Sequence, residues 1–260
     1  MAPPRDHRQA RFRQAMALVI LVAVLFGLAR LLSAVGGGEP RGVGSPTAGP
    51  PASPAEPLPP CAHRDRAALN AAYELWDRTL VDTRFRLSPE YEPPDLVSAG
   101  LAGFAGPYQV RQLVVADLSA LREAAADAGN PIELEAAHRT YEQQAALFDM
   151  RVAELGEEEA LRKVARPGHS EHQLGTTVDF KTAGAEDVDL TWGSTPAGGW
   201  TLAHAHEFGF ILTYPEGAEA RSCYAYEPWH YRYVGRQRAA AVMRSGLTLR
   251  EFLWRESRSG

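Results

Sequence analysis

Two stretches hold residue types whose spacing suits one kind of chemistry. Ser170-Glu171-His172-Gln173-Leu174-Gly175-Thr176-Thr177-Val178-Asp179 sets a His and an Asp seven positions apart. Gly175 and the Thr176-Thr177-Val178 run argue against a helix and for a loop feeding a strand. A neutral imidazole and a carboxylate held there are two ligands of a catalytic zinc site, which takes three protein ligands and keeps a fourth position open. Glu227-Pro228-Trp229-His230 offers the third ligand, His230, and a base, Glu227. Pro228 bars Glu227 from the α region, and a straight strand would point Glu227 and His230 to opposite faces. Both can serve one site only if the chain kinks there, and Pro228 is a reason for a kink.

One Zn²⁺ per chain on His172, Asp179 and His230 would keep a net charge of about +1, which lowers the pKa of a bound water toward ~7. Glu227 would take the water's proton and hand it to the leaving amine. The oxyanion needs a further donor, and Arg139, at the end of a strand expected over 132–137, is the candidate. Its guanidinium equally suits a substrate carboxylate or a structural ion pair. A lone His is more often a packing residue than a ligand. His7, His63, His169, His204 and His206 have no spacing that singles them out. No Ser-x-x-Lys tetrad occurs, which excludes a penicillin-sensitive serine enzyme, and no His-Glu-x-x-His occurs, which excludes a thermolysin-like peptidase.

The elements that must position these residues follow from periodicity. Helices are predicted over 64–80, with Leu69, Ala72, Tyr73 and Trp76 on one face, and over 110–128, 141–155, 157–164, 200–208, 235–243 and 247–254. Strands are predicted over 132–137, into Asp179-Phe180, over 210–214 and over 224–234, with an irregularity at Pro228. Residues 88–97 read as extended chain and 181–199 as a loop. Gln144 falls in the first turn of the 141–155 helix.

The whole chain has 260 residues, ordinary hydrophobic and charged fractions (45% and 23%) and a net charge of -5, so nothing points to a nucleic-acid partner. Arg5, Arg8, Arg11 and Arg13 precede an apolar run over 15–35, broken only by Arg30 near its outer end, and its length is close to the ~20 residues that cross a bilayer. The arginines predict a cytoplasmic N-terminus, either as a single-pass anchor at residues 1–35 or as a cleaved signal peptide. Both place the remaining chain on the extracytoplasmic side. Residues 36–60 are rich in Pro and Gly and read as a disordered linker, and residues 61–260 as the folded domain. Cys61 and Cys223 then lie in an oxidising compartment, where a disulfide and two free thiols both remain open.

Ser-x-His-x-x-Gly-x-x-x-Asp followed by Glu-x-x-His resembles the zinc D-alanyl-D-alanine carboxypeptidases of the VanY type. Their peptidase group also includes D-Ala-D-Ala dipeptidases, murein endopeptidases and hedgehog-like domains. Tyr91-Glu-Pro-Pro-Asp-Leu-Val97, His138-Arg-Thr-Tyr-Glu-Gln-Gln144, Ala165-Arg-Pro-Gly-His-Ser-Glu-His172, His206-Glu-Phe-Gly-Phe-Ile-Leu212 and Tyr224 to Gly235 are similar to that family's segments, in its order. The resemblance implies an α+β fold: a small antiparallel sheet flanked by helices in a single zinc-peptidase domain. It implies zinc on His172, Asp179 and His230, Glu227 as base and Arg139 stabilising the transition state. Ser170, Gln144 and Trp229 would line the substrate pocket. The implied substrate is a peptidoglycan stem peptide ending in D-Ala-D-Ala. L,D-carboxypeptidase or murein endopeptidase activity, and a zinc-bearing binding module without turnover, are the alternatives. Departures from the pattern are His138 for the usual Tyr, Thr177 for Ala and Cys223 for what is commonly Gly.

Overall fold

The computed structural model describes residues 56–258. Strands β1 (Arg66–Ala67) and β2 (Phe85–Arg86) pair in parallel, and β3 (Leu96–Ser98) and β4 (Gln109–Arg111) pair antiparallel. Strands β5 (Ile132–Ala136), β6 (Thr177–Thr182), β7 (Phe210–Leu212) and β8 (His230–Tyr233) form one antiparallel sheet in the order β5-β6-β8-β7. The described helices are α1 (Val115–Asp127), α2 (Tyr141–Leu155), α3 (Glu157–Lys163), α4 (Pro196–His204), α5 (Glu219–Ser222), α6 (Arg236–Ser245) and α7 (Leu249–Glu256). The result is a mixed α/β domain with small sheets, as the motifs imply.

The two central strands explain how the sheet both packs and presents chemistry. Successive side chains of a strand point to opposite faces. Val178, Phe180, Tyr231 and Tyr233 join the core that α1 closes with Leu118, Leu121 and Ala125. Thr177, Asp179, His230 and Arg232 alternate with them and share the other face. The register sets Asp179 opposite His230 and Thr177 opposite Arg232. A second core, with Leu80, Phe85, Ile211, Val234, Leu249, Leu253 and Trp254, fastens α6 and α7 to the N-terminal part of the domain.

Several predicted elements differ. Residues 64–80 are not a helix: Arg64 N, Arg66 N and Ala68 N bond to Thr83 O, Arg84 O and Arg86 O, Leu69 bridges to Leu80, and only a 3₁₀ turn, Tyr73–Leu75, remains. The 110–128 helix starts only at Val115, because Val110 pairs with Val97 in a strand. Helix α4 starts four residues before the predicted Trp200. Thr195 caps it by accepting from Gly198 N, and Pro196 sits in its first turn. Of the Gly pair that read as loop, Gly198 serves packing, since a Cβ there would meet the Trp192 carbonyl oxygen at 1.9 Å, whereas one on Gly199 would meet nothing within 4 Å. Of the strand predicted over 224–234, only β8 forms. Leu147, Phe148 and Val152, read as inward on α2, are half-buried, and Gln144 is that helix's one fully buried residue.

Cys61 and Cys223 form a disulfide across 162 positions, with Cα atoms 5.2 Å apart. Cys223 is left-handed (φ 76°), a conformation that favours Gly and accounts for Gly being usual there. Residues 56–60 of the expected linker lie against the domain: Trp254 Nε1 donates to Glu56 O (3.0 Å), Arg250 Nη2 to Pro59 O (2.9 Å) and Arg84 Nη1 to Pro60 O (3.1 Å). The apolar run over 15–35 and linker residues 36–55 lie outside the described residues. No helix among the described residues is long and apolar enough to cross a membrane.

Candidate metal centre

Ser170 begins the site by capping the 3₁₀ turn Glu171–Leu174, its hydroxyl accepting from His172 N at 3.3 Å. The turn ends at Gly175 (φ 69°), where a Cβ would press on Leu96 Cδ2 at 2.9 Å and Arg111 Cγ at 3.0 Å. The chain then enters β6 and carries Asp179 back beside His172. The 3₁₀ turn and the strand place the two side chains together, as the loop-to-strand expectation requires. On the other wall, His230 N bonds to Glu227 O (3.1 Å) and Glu227 N to Tyr214 O (3.2 Å). This tight turn over Pro228 is the kink that lets Glu227 and His230 face one site.

The tautomers follow from the hydrogen bonds. His172 Nδ1 donates to Ala137 O at 2.6 Å, so Nε2 is the bare nitrogen, 3.3 Å from Asp179 Oδ2. His230 is reversed: Nε2 donates to Glu171 Oε2 at 3.1 Å, and Nδ1 lies 3.2 Å from Asp179 Oδ1. One donor atom from each of His172, Asp179 and His230 lies within 4.8 Å of the others. Zinc with bonds of ~2.0–2.2 Å in tetrahedral geometry puts its ligand atoms ~3.4 Å apart, so the spacing fits. Asp179 Oδ1 is buried without a hydrogen-bond partner despite the nearby imidazole. A buried carboxylate with one oxygen lacking an aligned donor, its two oxygens facing the nitrogens of two imidazoles, is a place for a cation.

Behind His230 lies a network that sequence reasoning missed. Glu171 Oε1 accepts from Arg232 Nη1 (2.8 Å), and Oε2 accepts from Thr213 Oγ1 (2.8 Å) as well as from His230. Arg232 is fully buried and also donates through Nη2 to Trp76 O (2.8 Å) and Thr79 O (2.7 Å). The signal was an Arg inside the aromatic strand Tyr231-Arg232-Tyr233, two positions from His230 and hence on its face. Burial opposes a charge on Glu171, yet Arg232 and His230 outweigh it and hold its pKa at about 2.

Electrostatics separates the two carboxylates of the cleft. Burial disfavours the Asp179 charge, but His172 and His230 overcome it and keep this carboxyl far below the usual range. Glu227, whose side chain is 19% exposed, is pushed up to about 7 by burial, against the pull of His230. Two acids with environments that drive them apart suit different roles, a permanently ionised ligand and a base near neutrality. Burial also lowers the His172 pKa and favours the neutral ring that a metal needs. His230 runs the other way: burial disfavours its charge, but the carboxylates of Asp179 and Glu171 hold it at about 10 in the metal-free protein, so a metal at Nδ1 takes the place of that nitrogen's proton while Nε2–H stays on Glu171.

Arg139 faces Asp179 and Glu227, and burial lowers its pKa against their attraction. Its Nη1 donates to Gln144 Oε1 at 2.8 Å, while Gln144 Nε2 donates to Ala165 O at 2.6 Å. Gln144 is therefore a buried brace for the guanidinium, not a solvated helix residue. Ser170 both caps its turn and lines the cleft, and Trp229 lines it beside the cluster. Arg139, Gln144, Ser170, His172, Asp179, Glu227, Trp229 and His230 all border one cavity of ≈ 230 Å³, which Tyr214 and Tyr224 also line.

A mixed α/β domain whose sheet and an adjoining 3₁₀ turn carry a His–Asp–His cluster, faced by a carboxylate and a guanidinium, has the architecture of a mononuclear metalloenzyme. The profile of the VanY family, D-alanyl-D-alanine carboxypeptidase, matches residues 107–236. The chain is similar to the putative carboxypeptidase YodJ of Bacillus subtilis (35% identity over 178 residues) and spans 66% of itself and 65% of that protein's length. It is also 32% identical to the bifunctional D-Ala-D-Ala dipeptidase and carboxypeptidase VanXYC of Enterococcus gallinarum, covering 66% of this chain and 91% of that one. Among solved structures it resembles the LdcB LD-carboxypeptidase (TM-score 0.61, 33% identity, 66% of this chain and 83% of that one). A variant of the vancomycin-resistance D,D-pentapeptidase VanY in complex with Zn(II) is similar at TM-score 0.59 and 29% identity, covering 68% of this chain and 99% of the other. The chain belongs to the VanY family.

Proposed function

We propose that this protein is a zinc-dependent carboxypeptidase that removes the terminal D-Ala from peptidoglycan stem peptides ending in D-Ala-D-Ala. The observation that carries it is that Glu227 and Arg139 border the same cavity as the His172–Asp179–His230 cluster. When bound there, zinc supplies Lewis acidity and makes water acidic enough to lose a proton near neutral pH. The residues do the rest. Ala137 O and Glu171 fix the two imidazoles in opposite tautomers. Glu227 accepts the proton of the attacking water and returns it to the departing amine. Arg139, held by Gln144, offers its guanidinium to the charge that develops on the scissile carbonyl oxygen. Ser170 and Trp229 shape the wall on which the peptide end lies.

Likeness to the LdcB LD-carboxypeptidase supports a second reading, in which the same residues cut an L,D bond. A murein endopeptidase would use them too, whereas a binding module without turnover leaves the base Glu227 and the buried Arg139 without a role. Mass spectrometry of products from defined muropeptides separates these readings. Loss of one Ala from a pentapeptide supports the first reading; loss of Ala from a tetrapeptide or cleavage of a cross-link supports the others. We further propose that the basic flank and apolar run over residues 1–35 anchor the domain on the extracytoplasmic face of the membrane. The Cys61–Cys223 disulfide supports this, because disulfides persist in oxidising compartments.

A further inference from the structure

The catalytic cavity has a second character away from the metal cluster. His172, Asp179 and His230 are buried at 3%, 8% and 4% exposure and mark its deep end. Arg151 of α2 and Lys163 of α3 also line it, with side chains 41% and 53% exposed, and so mark its mouth. Leu147 and Val164 lie on the same walls and are half-buried. The acids bordering the cavity are Asp179 and Glu227, both at the deep end, so the charged groups that line the mouth are the two cations.

Arg151 pairs with Glu154 at 2.5 Å and Lys163 with Glu159 at 3.0 Å, each on its own helix. Neither Glu borders the cavity. Exposed pairs of this kind are worth only ~0.2–1 kcal/mol, so a substrate carboxylate displaces them at small cost. The cavity, at ≈ 230 Å³, is smaller than the ~300–1,000 Å³ of a pocket that encloses a drug-sized ligand. On the carboxypeptidase reading that volume takes only the end of a peptide, and the chain upstream of the scissile bond would leave by the mouth that Arg151 and Lys163 line.

We propose that Arg151 and Lys163 are specificity-determining residues that read a free carboxylate on a side chain upstream of the scissile bond. The substrate class is then a stem peptide carrying that group as an acid and not as its carboxamide. This rests on the carboxypeptidase reading of the site. Nothing else within the cavity supplies a cation at its mouth: Arg139 is buried at the deep end and committed to Gln144, Asp179 and Glu227.

The test uses two synthetic D-Ala-D-Ala pentapeptides that differ only in one upstream side chain, carboxylate or carboxamide. The zinc-loaded wild type is expected to prefer the acid about threefold to fivefold in kcat/KM, within the ~0.2–1 kcal/mol worth of an exposed ion pair, and the preference should shrink as salt rises. In the Arg151→Gln/Lys163→Gln variant the ratio should fall to about one to two, while the charge-keeping Arg151→Lys/Lys163→Arg variant should retain most of it. Binding of the same peptides to zinc-loaded Glu227→Gln, by calorimetry, separates this inference from the activity itself. Preferential binding of the acid without cleavage by wild type upholds the mouth and sinks the carboxypeptidase reading. Cleavage with a ratio near one, or a ratio unmoved in the double Gln variant, sinks the mouth alone. A third peptide with a C-terminal carboxamide checks the other source of a carboxylate. If the double Gln variant loses only its sensitivity to that change, the two cations read the chain terminus and the upstream assignment fails.

Discussion

Glu171→Gln is the sharpest perturbation of the site that leaves every direct metal ligand in place. The carboxylate accepts three bonds, from Arg232 on Oε1 and from Thr213 and His230 on Oε2. Gln has one acceptor oxygen and one donor nitrogen on the same frame. If the oxygen stays with Arg232, the new NH₂ meets the His230 Nε2–H, donor against donor. His230 escapes by moving its proton to Nδ1, the nitrogen that faces Asp179 and the metal position. If the amide turns over, buried Arg232 faces a donor and loses its charged partner, a loss that costs several kcal/mol in a buried pair. Partners behind a ligating His typically tune metal affinity by ~10–100-fold, or ~1.4–2.7 kcal/mol. Zinc affinity from competition with a chromogenic chelator should fall in that range, with far-UV circular dichroism reporting that the domain remains folded. A folded Glu171→Gln protein whose zinc Kd stays within about twofold of wild type would refute the reasoning.

The remaining expectations concern stability and chemistry. Cys61→Ser/Cys223→Ser should lower stability: closing a loop of 162 positions is worth at most ~5 kcal/mol in the chain-entropy account, so a fall of ~2–5 kcal/mol in denaturant titrations is expected. Glu171 also sets an acid limit for the metal-free protein. Its folded pKa of about 2 lies below its ordinary 4.5, so its stabilisation is complete above about 4.5 and is lost as pH falls from there through 2. Differential scanning calorimetry should show an acid loss over that window that is smaller by ~3 kcal/mol in Glu171→Gln, the part due to Asp179, also held low, remaining in both proteins. Arg139→Ala should lower kcat by ~10²–10³ with a smaller change in KM, as for an oxyanion donor, and Gln144→Ala, which frees the guanidinium, should lower it less; an effect confined to KM would mean that Arg139 only binds substrate.

What was legible in the sequence was what covalent spacing controls. His172 and Asp179 are close in sequence, and Gly175 with the β-branched run after it already required a turn into a strand. Pro228 gave a reason for the kink that Glu227 and His230 need to serve one site. The α2 helix was legible end to end, because Thr140 and Gln143 write a capping box at its start and Gly156 stops it. The misreadings arose where long-range pairing overrode a local pattern. Residues 64–80 have a helical apolar stripe, but the amides of Arg64, Arg66 and Ala68 bond to Thr83, Arg84 and Arg86, and Leu69 bridges to Leu80. Glu171 was visible beside His172, yet nothing nearby shows that its partner is an Arg sixty-one positions on. Gln144 showed the same limit: its burial depends on Arg139 and on Ala165, which α3 brings back across the cleft.

The central claim is that Glu227 acts as a base beside a zinc held by His172, Asp179 and His230. The most direct measurement is D-Ala release from a defined D-Ala-D-Ala pentapeptide by wild type and Glu227→Gln, each zinc-loaded, chelated and zinc-restored. The account predicts release by zinc-loaded wild type, its loss on chelation and its return with zinc. It predicts release at least ~10²-fold slower from Glu227→Gln, since general base catalysis contributes ~10²–10⁴-fold, with zinc affinity retained. Release that survives chelation, or a Glu227→Gln protein that turns over like wild type, would contradict it.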